Sequence, residues 1–351
     1  LRMVNSLFAL GTVIITYLIS KELIKNKWWQ LLPVFMLTNT LMFVFLSGGV
    51  SYDNPTNFVC ALGLLFFIRV LNHKDFTMNS LGWMISIGIG ALIKHSVLPL
   101  AAILGIIWIV YMIRNKSKIQ CPDLRNNPSF FVLAAILLIV LGFNIYLYGV
   151  NLIKFQSIRP SCYDTFSKEI CDNSVFVKRH NEMALPEKLT IITAFQKGYP
   201  EPIRFLFEWW IPEMIKRVFG IMGEKDYFPI IISYFKIAFY WMFFLGFRYI
   251  KKPSFKTVAL SSIVGFYALV LFIMNYNSEL AYGFYKFVAL QGRYIFPVIS
   301  IAFVLSTYIL TKVTNKYLQI GTLVATIALF LYGGPIRFFW YYDTVFKNWF
   351  I

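Results

Sequence analysis

Charge is scarce in this chain. Only 14% of its 351 residues are Asp, Glu, Lys or Arg, while 58% are hydrophobic and 19% aromatic, a balance that excludes a soluble globule. Acids are scarcer still, 16 against 33 Lys and Arg. The four cysteines form no CxxC pair and join no His/Cys cluster, so nothing points to zinc. No internal repeat is evident, which speaks against the repeated halves frequent in transporters. The chain opens on Leu1 and shows no basic segment followed by a short apolar core. No cleavable signal is therefore indicated, and a fragment or a processed product stays open.

What is present is a series of apolar runs long enough to cross a bilayer of about 30 Å. Ten are predicted, at 3–20, 30–46, 57–71, 81–93, 99–113, 130–150, 229–247, 257–275, 295–310 and 318–333. The fold class that follows is an all-α polytopic membrane protein with one long extracytoplasmic loop, 150–228. That loop separates N-terminal helices (1–149) from C-terminal ones (229–351). The short basic links contain Lys21, Lys25 and Lys27; Arg69 and Lys74; Arg114, Lys116, Lys118 and Arg125; Arg248, Lys251, Lys252 and Lys256; and Lys312 and Lys316. The positive-inside rule places them in the cytoplasm. Segment 81–113 has such links on both sides, and as one helix it would be about 50 Å long. It must fold back, with its turn at Lys94, His95 and Ser96 and with Pro99 opening the returning helix.

The net charge of +17 invites a nucleic-acid partner, but its distribution does not support one. Eleven of the basic residues lie in 150–228, beside ten acids, and the other 22 face six acids, mostly in short links. That is the pattern of membrane orientation, with contacts to anionic membrane lipids as its simple consequence.

The stretch around which the chain is organised is SGGVSYDNPT, 47–56, a glycine-rich hinge carrying one acid, Asp53. An ionised carboxylate in hydrocarbon costs roughly 2.5 to 3.5 kcal/mol even on lenient scales, so Asp53 is expected at the water edge. Lys94 and His95 emerge on the same face. The link 277–297 adds Glu279, Lys286, Gln291, Arg293 and Tyr294. A guanidinium beside an amide and a phenol suits a phosphate, to which it offers forked donors. An arginine snorkelling beside Tyr294 is the plainer alternative. In the long loop, Cys162 and Cys171 are close enough to pair in an oxidising compartment, or they remain two thiols. Cys60 and Cys121 have no evident partner. Segment 202–220 is expected to be an interfacial helix broken at Pro212, with Trp209 and Trp210 in the headgroup layer, or else a helix on the loop's own core. Lys236 lies about two turns inside the seventh run and either snorkels or lines a polar cavity.

Asp53, Lys94, His95, Glu279, Gln291 and Arg293 thus gather on one face. Cations there would neutralise a leaving phosphate, while a carboxylate binds a divalent metal (Mg or Mn) or takes a proton from an acceptor hydroxyl. Asp53 is the catalytic candidate and possible metal ligand, and Glu279 is a weaker ligand.

The run LRMVNSLFALGTVIITYLIS followed by basic residues, and then SGGVSYDNPTNFVCALGLLFFIRVL, resembles the second to fourth spans of GT-C membrane glycosyltransferases. ALIKHSVLPL resembles their returning turn with a phosphate-facing lysine, here Lys94. LQGRYIFPVIS, and more loosely RVFGIMGEKDYFP, resemble a bacterial multi-pass family of unknown function grouped with them, and QGRY at Gln291–Tyr294 is the most specific motif. The resemblance implies a polyprenyl-phosphate-linked sugar donor, a glycan, lipid or protein acceptor, and action on the extracytoplasmic side of a bacterial membrane. It also implies that Asp53 corresponds to the second acid of the pattern, the general base lying in a first loop ahead of Arg2. The chain is then either incomplete or a non-catalytic relative. A transporter or flippase and a membrane scaffold subunit are the competing readings.

Overall fold

The computed structural model describes residues 1–116, 128–222, 225–226 and 229–341. Among them nine helices are long and apolar enough to cross a membrane, and one bent pair, Trp29–Thr38 with Leu41–Gly48, meets the same measure when taken together. The chain is a multi-pass membrane protein. In order the elements are α1 (Arg2–Leu23), α2 (Leu32–Thr38), α3 (Leu41–Gly48), α4 (Asp53–Leu71), α5 (Phe76–Ile93), α6 (Leu98–Asn115) and α7 (Pro128–Phe155). The loop follows, then α8 (Pro229–Tyr249), α9 (Phe255–Tyr282), α10 (Phe296–Thr311) and α11 (Lys316–Tyr332). The only strand pairing among the described residues is a two-residue antiparallel ladder, Ile221–Met222 with Lys225–Asp226.

One expected span is broken. The axes of the helical pieces on either side of Asn39 and Thr40 differ by 63°, and Thr40 is extended. The break frees backbone carbonyls that hydrocarbon cannot solvate. Asn39 Nδ2 and Thr40 Oγ1 donate to the carbonyls of Phe35 and Met36 at 2.9 and 2.8 Å, which satisfies them locally. A run of apolar residues does not reveal such a bend, because the polar pair that caps it is too short to lower the hydropathy.

The basic links that charge alone sorted together meet at one end of the bundle. Glu22, at the end of α1, pairs with Arg69 at 3.3 Å and Lys74 at 2.8 Å. Lys256 Nζ donates to Asn72 Oδ1 at 2.8 Å, and the Arg114 guanidinium lies 5.1 Å from the Phe255 ring. Lys118, Cys121 and Arg125 fall outside the described residues. The fold-back of 81–113 occurs where expected, through a 3-10 turn at His95–Val97 with Pro99 in the first turn of α6. Lys236 is half-buried on α8.

Segment 202–220 differs from expectation at Pro212, and of the two placements left open it takes a packed one, against α9. It is a continuous helical run, not broken at Pro212, and widened π turns occupy Leu206–Trp210 and Lys216–Gly220. Proline has no N–H to donate back along the helix, and the widened turn just before it accommodates that missing donor. The run also packs inward. Phe205 and Trp210 are buried against α9, and Trp210 Nε1 donates to Asn275 Oδ1 at 2.8 Å, so Trp210 is a core residue and not a headgroup anchor. Trp209 is half-buried, its ring 4.6 Å from that of Tyr285. Cys162 and Cys171 are joined by a disulfide, while Cys60 is a buried thiol.

Candidate active site

The hinge 47–52 is held by α1. Asn5 donates to the Gly49 carbonyl and Ser6 Oγ to that of Ser47 at 2.9 Å. From below, Asn54 Nδ2 donates to the Leu46 carbonyl at 2.7 Å. These bonds fix where α4 begins, and Asp53 is its first residue. An acid there faces the partial positive charge of the unpaired amides in the first turn. Ser51 Oγ accepts from the Asp53 amide at 3.0 Å and donates to Asp53 Oδ2 at 2.9 Å.

Contrary to the sequence expectation, the Asp53 carboxylate is not at an open water edge. It is 1% exposed, and cations from two distant links cover it. Lys94, itself 8% exposed at the end of α5, places Nζ 2.5 Å from Asp53 Oδ1. Arg293, one-third exposed, places Nη1 3.4 Å from Asp53 Oδ2. Burial on this scale requires paired charges, and the partners that supply them lie 41 and 240 positions away in the sequence.

Two aromatic rings lie close to the ammonium. Lys94 Nζ lies 4.6 Å from the Tyr294 ring centroid and 5.2 Å from that of Tyr52. The Arg293 guanidinium is 5.8 Å from the same Tyr294 ring. Such contacts stabilise a desolvated cation by roughly 1 to 2 kcal/mol each. Burial pushes the Lys94 ammonium below the ordinary lysine value, the Asp53 carboxylate pulls it back up, and Arg293 pushes it down again. One carboxylate against two cations leaves the cluster with a surplus positive charge.

The QGRY segment is positioned by a backbone contact. Gly292 begins a 3-10 turn, Gly292–Ile295, that leads into α10. A Cβ added there would stand 2.3 Å from the Arg217 carbonyl oxygen, so only glycine fits, and the two motifs quoted from the sequence touch at this point. Arg293 Nε is buried with no hydrogen-bond partner among the described residues, and so is the Asn57 amide nitrogen, one helical turn along α4 from Asp53. Orphaned donors of this kind are rare in folded chains and fit a site that a ligand completes.

Lys94, His95, Gln291 and Tyr294 line a single cleft of about 950 Å³. The long loop closes its far side with Arg159, Cys162, Arg179 and His180. His95 Nε2 lies 3.5 Å from Arg159 Nη1, and His180 Nδ1 lies 2.5 Å from the Tyr282 hydroxyl. Tyr52, Ser51, Arg159 and Arg179 were not singled out by sequence reasoning. Tyr52 and Ser51 had a signal, standing next to Asp53 in the hinge. The two arginines had none, being two of eleven basic residues in a nearly neutral loop.

Glu279 is separate from this cluster. It is 2% exposed near the end of α9, and its two oxygens accept from the Lys286 amide at 3.2 Å and the Phe287 amide at 2.9 Å. It holds the turn that follows α9, where Gly283 takes the left-handed conformation. Among the described residues no three His, Cys, Asp or Glu side chains gather as metal ligands. With Asp53 held by two cations and Glu279 by two amides, these side chains do not fit a divalent metal.

Residues 1–158 match the family model of dolichyl-phosphate-mannose-protein mannosyltransferase. That family is of GT-C type, and the match supports a membrane glycosyltransferase of the GT-C superfamily. It spans α1 to α7 and includes Asp53, Lys94 and His95, and it ends before the QGRY segment. No curated protein and no solved structure matches the chain.

Proposed function

We propose that this chain transfers a sugar, mannose being the one named for the matched family, from a polyprenyl-phosphate donor to an envelope glycan, lipid or protein. The observation that carries this reading is the Lys94–Asp53–Arg293 cluster beside the cleft. Catalysis of such a transfer consists largely of stabilising charge that develops on the leaving phosphate. The acceptor oxygen bonds to the sugar C1 as the C1–O bond to phosphate breaks. The bonding electrons leave with the polyprenyl phosphate, whose negative charge rises by one unit, and the hydroxyl proton passes to a base.

In this reading Lys94 and Arg293 meet the growing charge. Asp53, with both oxygens engaged, holds the two cations in place, and the proton goes to a base other than Asp53. Gln291 and Tyr294 orient the headgroup within the cleft, and His95 flanks it. The disulfide and the grouping of basic links at the opposite end support an extracytoplasmic cleft; the bacterial cell membrane rests on the resemblance alone.

The test is transfer by the full-length protein, reconstituted in vesicles, from radiolabelled polyprenyl-phosphate mannose into an envelope extract. Arg293→Ala and Lys94→Ala are each expected to lower transfer about 100-fold or more. Unchanged transfer by folded Arg293→Ala protein would sink the reading.

A further inference from the structure

At the opposite end of the bundle from Asp53 lies a second cavity, about 790 Å³, which the transfer reaction does not use. It is framed by the end of α8, the link 250–254, the start of α9 and the end of α10. Its lining includes Arg248, Lys251, Lys252 and Lys312, and no carboxylate. Helix α9 connects the two sites. It begins beside this cavity and ends at Tyr282 in the cleft, a length of about 42 Å for its 28 residues, enough to traverse the hydrocarbon and one headgroup layer.

Two independent features of this cavity favour an anion. The four cations have no carboxylate partner among the described residues; Arg248 and Lys312 instead lie over the rings of Tyr249 and Tyr308, at 5.9 and 4.9 Å. The described acids at this end are engaged elsewhere: Glu22 is held by Arg69 and Lys74, and Asp75 caps α5 by accepting from the Met78 amide at 3.3 Å. In addition, the N-terminus of α9 opens here. Ser254 Oγ caps the Thr257 amide at 3.2 Å, both residues line the cavity, and the remaining first-turn amides carry the positive end of a long helix dipole. Phe247, one residue before Arg248, is 78% exposed, so an apolar surface lies directly beside the charged pocket.

We propose that this cavity is a binding site for the headgroup of an anionic phospholipid, with the phosphodiester held by Arg248, Lys251, Lys252 and Lys312 at the start of α9 and the acyl chains lying along the exposed face of α8. A basic pocket between helices at the membrane surface binds such headgroups at roughly fivefold in affinity per basic residue. A free phosphate would use the cations but not the adjacent apolar face, which is why the site is assigned to a lipid.

The experiment is native mass spectrometry of the full chain, purified in detergent, with added phosphatidylglycerol or phosphatidylcholine. Three proteins are compared: the wild type, Lys251→Gln/Lys252→Gln/Lys312→Gln, and the charge-matched control Lys21→Gln/Lys25→Gln/Lys27→Gln. The wild type and the control are expected to retain phosphatidylglycerol in preference to phosphatidylcholine, and the cavity variant to bind it about 100-fold more weakly. Equal retention by all three proteins, or an equal loss in both variants, would overturn the proposal. If the triple variant does not purify folded, Lys252→Gln alone, on the exposed link, decides the matter, with a loss of about fivefold expected and no change refuting the site.

Discussion

The Lys94 ammonium stands 2.5 Å from a carboxylate oxygen of Asp53, and both groups are almost entirely removed from solvent. The pair links the start of α4 to the end of α5, and Arg293 adds the start of α10 through the second oxygen. Three helix ends are thus joined by one carboxylate. Removing one partner from such a cluster leaves an uncompensated buried charge, a loss typically of about 3 to 5 kcal/mol, which exceeds the net worth of the pair itself. The arrangement therefore commits the fold to keeping all three residues together.

Asp53→Asn is expected to destabilise the protein by about 3 kcal/mol or more, because two cations then share a site with no counter-charge. Lys94→Gln alone should cost less, since Arg293 still faces the carboxylate. The double variant Asp53→Asn/Lys94→Gln should be more stable than the sum of the two single changes implies, by about 1 kcal/mol or more. Thermal unfolding in detergent of the four proteins measures the coupling. Strict additivity would show that the 2.5 Å contact is not an energetic unit.

Gly292→Ala tests how the QGRY segment is held. Its new methyl would meet the Arg217 carbonyl at 2.3 Å, a backbone atom that cannot rotate away, so the turn carrying Arg293 must shift. Overpacking of this kind costs about 1 to 3 kcal/mol, and displacing the guanidinium should lower transfer at least tenfold. Gly321→Ala, where nothing lies within 4 Å, is the matched control and should leave both properties unchanged. Equal effects of the two substitutions would refute the backbone contact.

The apolar spans were legible in the sequence because crossing a membrane depends on composition over about twenty residues, which is a local property. The turn at Lys94–Ser96 was legible for the same kind of reason, since charge on both flanks forces an even number of crossings. Its assembly with Asp53 and Arg293 followed from placing all three at helix ends on one face. Less accessible was the depth at which Asp53 sits, because burial of an acid depends on partners that no local window contains. The place of Trp210 stayed open between headgroup layer and packed core for the same reason: a tryptophan near a membrane surface has the same letter whether it faces lipid headgroups or donates to Asn275. The break at Asn39 and Thr40 and the unbroken passage through Pro212 depend on single hydrogen bonds that hydropathy averages away.

Cys162→Ser is expected to loosen the long loop without affecting the spans. The disulfide closes a ring across a separation of nine residues, and a ring of that size contributes about 2 to 3 kcal/mol by restricting the unfolded loop. Limited proteolysis after reduction, or of the Cys162→Ser protein, should cut within 156–200 at least tenfold faster, while the membrane-spanning fragments stay intact. Unchanged cleavage would show that the loop is held by its contacts with α9, such as the Leu185 and Leu189 amides on the Ala281 and Leu280 carbonyls, and not by the cross-link.

Tyr294 separates the aromatic contribution of the site from its hydroxyl. Its ring lies 4.6 Å from the Lys94 ammonium and 5.8 Å from the Arg293 guanidinium, whereas no hydrogen bond of its hydroxyl is part of the cluster. Tyr294→Phe retains the negative face of the ring and should leave stability within about 0.5 kcal/mol of wild type and transfer within about threefold. Tyr294→Leu keeps the bulk but removes that face, so the buried Lys94 ammonium and the half-buried Arg293 guanidinium lose it together. The expected cost is about 2 kcal/mol or more, with transfer reduced about tenfold or more as the ammonium is no longer held over the cleft. Melting temperature and transfer rate measured side by side check both variants. If Phe and Leu behave alike, the ring serves only as apolar filling; if Phe is as damaging as Leu is expected to be, the hydroxyl itself contacts the donor, and Tyr294 belongs with the groups that bind phosphate.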